Sequence, residues 1–175
     1  MLDLLKHIEA NVLPALLADG SIWKSLYVDY HPPFVQRLWA ATEVDGKPYR
    51  IYLHRILPCK LREALFHTHP WPSAMRILSG RYTMIVGHAE GNDAPPVSMT
   101  LSLPAGATYE MVHPDGWHAV CPEGEPAYSL MVTGEPWKRE SPKSPYPLSP
   151  LEPALQDEIM AFFRNAYPQS TPQPK

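Results

Sequence analysis

The chain has 175 residues, of which 45% are hydrophobic and only 19% charged, with a formal net charge of −3 at pH 7. That length suits one domain around a single core, and without a basic field nucleic acid is excluded as a partner. No run reaches the roughly 20 apolar residues of a membrane span. Cys59 and Cys121 are too few for a disulfide framework and read as free thiols. Together with the lack of a secretory-type leader, this makes the expected location cytoplasmic.

Residues 1–20 carry Leu2, Leu5, Ile8, Val12, Leu13 and Leu16 at helical spacing, which predicts an amphipathic helix that Pro14 kinks or splits. From 21 to 134 the pattern is that of strands. Ile22 to Tyr30 is aromatic and β-branched, and His31-Pro32-Pro33 interrupts it. Phe34 to Glu43 and Tyr49 to Leu57 then form a hairpin through Asp45-Gly46, a dipeptide that supplies positive φ. In its second strand Arg50, Tyr52 and His54 share one face, while Ile51, Leu53 and Arg55 share the other.

Further strands are expected at Leu65 to His69, Met75 to Leu78 and Arg81 to Gly87. Val97 to Leu103 alternates most cleanly, and Tyr109 to Val112, Trp117 to Cys121 and Ala127 to Thr133 complete the series. Eight to ten short strands with Gly and Pro punctuation and no intervening helix mark a sandwich, jelly roll or barrel. Residues 135–167 begin with a proline-rich, irregular stretch and end in a second amphipathic helix, Leu151 to Tyr167. Residues 168–175 are expected to be a disordered tail.

The chemistry concentrates in FHTHPWPSAMRILSG, residues 66–80. His67 and His69, two apart on a strand, project from one face, and neutral imidazole is the commonest protein ligand for zinc, copper, nickel and non-haem iron. This run with Gly80, followed by the Gly106 turn and by Pro114, Asp115, Gly116, Trp117 and His118, resembles the two motifs of the cupin superfamily. The resemblance implies an all-β fold, a cupin-type jelly-roll β-barrel with flanking N- and C-terminal helices. It also implies His118 as third ligand beside His67 and His69, and dimerisation as a homodimer. The family's usual glutamate falls at Ser73, so the three-histidine-one-glutamate set lacks its acid.

Three neutral ligands leave a divalent cation with its full charge and open positions, an arrangement similar to that of thiol dioxygenases and other cupin oxygenases. The resemblance implies an iron(II) dioxygenase acting with O2 on a small metal-chelating substrate. The alternatives are a non-catalytic cupin that binds a small ligand or metal, and a non-redox isomerase or lyase using zinc, nickel or manganese. Glu63, in phase with His67, and His113 are candidate additional ligands. His54, Arg50 and Tyr52 are candidate catalytic groups, Arg50 through a substrate carboxylate. Trp71, Met75, Tyr82 and Trp117 are candidate pocket walls. His7, His31 and His88 read as surface or loop residues, and Cys121 as a small core residue with a redox role as the alternative.

Overall fold

Helical periodicity at the N-terminus resolves into α1 (Leu2–Asn11) and α2 (Leu13–Ala18). Pro14 falls in the first turn of α2, where a missing N–H costs no hydrogen bond, so the segment breaks into two helices. This computed structural model describes residues 1–138 and 142–168, and the expected disordered tail lies, beyond residue 168, outside them.

After a 3-10 turn at Gly20–Ile22 the strands begin with β1 (Lys24–Val28) and the hairpin β2 (Val35–Val44) and β3 (Lys47–Ile56). Asp45 at φ 52° and Gly46 at φ 74° form its turn. That turn pairs Val44 with Lys47 and, counting back along both strands, sets Arg37 opposite His54. Next come β4 (His67–Thr68), β5 (Ser73–Ser79) and β6 (Arg81–His88), followed by β7 (Met99–Pro104), β8 (Thr108–Met111), β9 (Gly116–Pro122) and β10 (Ala127–Thr133).

One sheet has the order β1-β2-β3-β10-β5-β8 and the other β4-β9-β6-β7. From β3 onward the chain passes back and forth between the sheets, and every pairing is antiparallel. The two four-stranded sets, β3-β10-β5-β8 and β4-β9-β6-β7, are the two halves of a jelly roll, with β1 and β2 widening the first. Between β5 and β6 the chain turns on Gly80 alone, at φ 82°, where an added Cβ would lie 2.9 Å from Ala127 Cβ. Only glycine satisfies both conditions.

The larger sheet is covered on both faces. Its outer side packs Leu38, Ala40, Ile51, Leu53, Leu130 and Val132 against α1, α2 and a C-terminal helix, α3 (Pro153–Ala166). Its inner side turns Ile56, Ile77 and Ala127 toward Tyr82, Met84 and Val120 of the smaller sheet. Double coverage explains why β3 does not alternate between polar and apolar residues. Glu9 of α1 accepts hydrogen bonds from Arg76 of β5 and from Tyr167 just past α3, tying both helices to the sheet.

Two strands depart from expectation. β4 is only two residues long, because the Leu65 N–H is taken by the Pro32 carbonyl instead of by a neighbouring strand. β7 starts at Met99, and Val97 and Met99 are 49% and 55% exposed despite their alternation, because β7 is the edge strand of the smaller sheet. No helix among the described residues is long and apolar enough to cross a membrane.

Candidate metal centre

His67 and His118 are direct cross-strand partners in the β4–β9 pair, so their side chains leave the same face side by side. His69 follows one residue beyond β4 and returns to that face. The ring centroids are 5.0 Å apart for His67 and His118, 5.2 Å for His67 and His69, and 4.6 Å for His69 and His118. One ligand atom from each of the three lies within 4.8 Å of the other two.

Two of the three outer nitrogens are held. His67 Nδ1 lies 2.9 Å from the Leu65 carbonyl oxygen, so it carries the proton and donates, leaving Nε2 as a lone pair. His69 Nδ1 lies 3.2 Å from Ser73 Oγ, a hydroxyl that can donate or accept, so this contact fixes the orientation of the ring. Ser73, at the position of the missing acid, therefore serves the cluster by orienting an imidazole, as partners of metal-bound histidines do. His69 Nε2 and His118 Nε2 approach to 2.9 Å. A metal with nitrogen bonds of about 2.0–2.1 Å holds adjacent ligand atoms about 3 Å apart, so the donor set and spacing fit a divalent cation.

Burial keeps these rings neutral. It pulls His67 down to about 4 and His69 to about 3, with the neighbouring histidines adding to the effect, and holds His118 well below its ordinary range. His54 is lowered to about 3, by burial first and then by the nearby Arg37 cation. Neutral imidazoles are the form that binds metals.

The cluster opens on a cavity of about 250 Å³. His54, Met75 and Trp71 line it, as do His31 and Arg37, which sequence reasoning placed in a loop or passed over. The signal for Arg37 was present, since the Asp45-Gly46 turn fixes it opposite His54. Among the described residues, the buried side-chain nitrogens and oxygens with no hydrogen-bond partner are Arg37 Nε, both ring nitrogens of His54, Trp71 Nε1 and His118 Nδ1. All four residues line this one cavity. Unpaired buried polar atoms are rare and costly, and their gathering around one cavity makes it the candidate ligand site.

Other candidates lie elsewhere. Arg50 is exposed, nearer the hairpin turn than Tyr52, with its guanidinium 5.4 Å from the Trp39 ring centroid. Tyr52 is buried with Met75 and Met131, behind the cavity wall. Tyr82 is wholly buried and donates to Ser129 Oγ at 2.8 Å, and Trp117 packs on Phe66 and donates to the Ala89 carbonyl, so neither lines the cavity. Glu63 sits on a 3-10 turn beside Lys60 at 3.8 Å, away from the three histidines. His113 gathers instead with His88 and Asp115 in a separate, mostly exposed group. Cys121 donates to the Cys59 carbonyl, and burial pushes the Cys59 thiol up to about 12, which keeps it protonated.

No family model matches the chain, and no curated protein sequence matches it. Among solved structures it is similar to hydroxypropylphosphonic acid epoxidase from S. wedmorenis, with 20% identity and a TM-score of 0.49 over 66% of this chain and 56% of that one. It is also similar to a variant oxalate decarboxylase of Bacillus subtilis, with 13% identity and a TM-score of 0.45 over 65% of this chain and 28% of that one. The chain thus spans about half the length of the first of these. Likenesses this distant carry no argument, and the jelly-roll assignment rests on the strand order above. Fold and site define a jelly-roll protein with a largely buried three-histidine cluster on a small cavity.

Proposed function

We propose that this protein is a metal-dependent enzyme of the cupin class and, within that class, an iron(II) dioxygenase acting on a small metal-chelating substrate. The observation that carries the reading is the His67, His69 and His118 cluster, three neutral imidazoles converging at a cavity lined by residues that carry unpaired buried polar atoms. When bound, a divalent metal supplies Lewis acidity there and, as iron(II), reactivity toward O2. With no acidic ligand, such a centre keeps its full positive charge and open positions.

The chain's own groups do the rest. The Leu65 carbonyl holds His67 in the tautomer that frees Nε2, and Ser73 Oγ orients the His69 ring. Met75, Val120, Met131 and Trp71 give the cavity an apolar wall that excludes water. His54, neutral at physiological pH and with both ring nitrogens free, hydrogen-bonds the substrate from β3.

The test is metal analysis of the purified protein, followed by oxygen uptake after iron(II) is added to the metal-free form across a panel of small acids and thiols. One iron per chain and substrate-dependent uptake are expected. Bound iron without uptake across the panel refutes the dioxygenase. Zinc or nickel held in preference moves the assignment to non-redox chemistry, and no retained metal leaves a small-ligand binding protein.

A further inference from the structure

Among the described residues, the cavity lining holds a charge without a counter-charge. Arg37 projects from the inner face of β2, opposite His54, into the space in front of the three histidines. Among the described residues that line this space there is no aspartate or glutamate. No described carboxylate forms an ion pair with Arg37, whose Nε is buried without a hydrogen-bond partner. Its nearest compensation is the Tyr52 ring, 5.2 Å from the guanidinium carbon, and a ring face offers a quadrupole, which is no substitute for an anion. Arg37 is half-buried, but its Nε is shut away from water without a partner, which is costly. The described residues supply no anion, so a ligand that brings one fits here.

The unpaired atoms say what that partner must be. Arg37 Nε and Trp71 Nε1 are donors only, with no capacity to accept. Their residues line the cavity, which therefore suits a ligand that accepts, and the guanidinium asks that it also be negative. A carboxylate meets both demands, since the planar guanidinium fork matches its two oxygens. A phosphate or phosphonate brings a third oxygen and up to a second charge, for which the described lining supplies no second cation. The cavity, about 250 Å³, is smaller than the roughly 300–1,000 Å³ typical of sites for drug-sized molecules.

We propose that Arg37 binds the carboxylate of a small monoanionic organic acid whose other end carries an oxygen, nitrogen or sulfur donor for the metal at the histidine cluster. The metal-binding half of this statement rests on the proposed function, whereas the Arg37 half does not. The acid spans from the guanidinium to the cluster. His54, beside Arg37, hydrogen-bonds it between the two. The specificity of the site is thereby set by β2, outside the strands that carry the histidines.

The experiment titrates the metal-free and the cobalt(II)-loaded protein with hydroxy- and thiol-carboxylates of two to five carbons, their neutral amides and the matching phosphonates. Calorimetry reads binding in both forms, and the cobalt visible bands read contact with the metal in the second. The expected result is a fitting carboxylate that binds at least 10-fold tighter than its amide. Arg37→Met should remove about 10- to 100-fold of that preference, and Arg37→Lys, which keeps the charge but not the fork, should remove less. Metal content should be unchanged in both variants, and thermal stability unchanged or raised in Arg37→Met, because an unpaired cation has been removed. Equal affinity for acid and amide, or a preference that survives in Arg37→Met, overturns the proposal. Tighter binding of the phosphonates overturns the carboxylate assignment. If cobalt is not retained, the metal reading fails by itself, and the metal-free titrations still decide the role of Arg37.

Discussion

Ser73 and His113 separate what position in the chain implies from what contact delivers. Ser73 stands where an acidic ligand was expected, and its hydroxyl instead holds the His69 ring from behind. Ser73→Ala is expected to leave the fold intact and to weaken metal binding about 10- to 100-fold, the usual effect of losing a group that orients a metal-bound histidine, as a competitive chelator titration would measure. His118→Ala removes one of the three nitrogens outright and is expected to abolish metal retention on gel filtration. His113→Ala should leave it at wild-type level, because His113 belongs to the group with His88 and Asp115. Loss of metal from the His113 variant would mean that the two clusters are coupled. Metal-to-protein ratios of the three variants, measured side by side, decide all three outcomes.

Among the elements, the ones with a strong local code were legible in the sequence. The Asp45-Gly46 turn set the β2–β3 register, and Pro14 divided the first helix. Elements whose form depends on distant partners were not. β4 shrank to two residues because Leu65 bonds the Pro32 loop, and Pro142, Ser144 and Leu148 of the proline-rich stretch line the cavity, a placement no periodicity announces. α3 was legible from its apolar face, which now has an address on the outer side of the larger sheet, away from the cavity. Phe163, fully buried there, makes the element testable. Phe163→Ala is expected to cost about 3–5 kcal/mol and to lower the melting temperature by roughly 10 °C, with metal stoichiometry at low temperature unchanged. A metal-binding defect in the folded variant would show that α3 does more than cover the sheet.

At the scale of the molecule, the jelly roll places four histidines, His54, His67, His69 and His118, in its interior, and this couples stability to pH. In the unfolded chain each takes up a proton near pH 6.5. In the fold, burial lowers His54 and His69 to about 3, His67 to about 4 and His118 well below its ordinary range. Below about pH 6.5 the unfolded state therefore binds protons that the folded state refuses, and stability falls with pH. Above that pH the contribution is complete. Each histidine costs about 1.4 kcal/mol per pH unit inside this window, so four together exhaust a typical stability of about 5–15 kcal/mol within one to three units. The metal-free protein is accordingly expected to lose its fold between about pH 5.5 and pH 3.5. Bound metal should shift that midpoint downward, since metal and protons compete for the same imidazoles. Urea unfolding at intervals from pH 8 to pH 4.5 gives the slope. His54→Leu, which removes one of the four without touching the cluster, should make it shallower by about 1.4 kcal/mol per pH unit. A profile that stays flat to pH 4.5 would show that these rings reach water or a proton acceptor, and would undo the electrostatic account of the site.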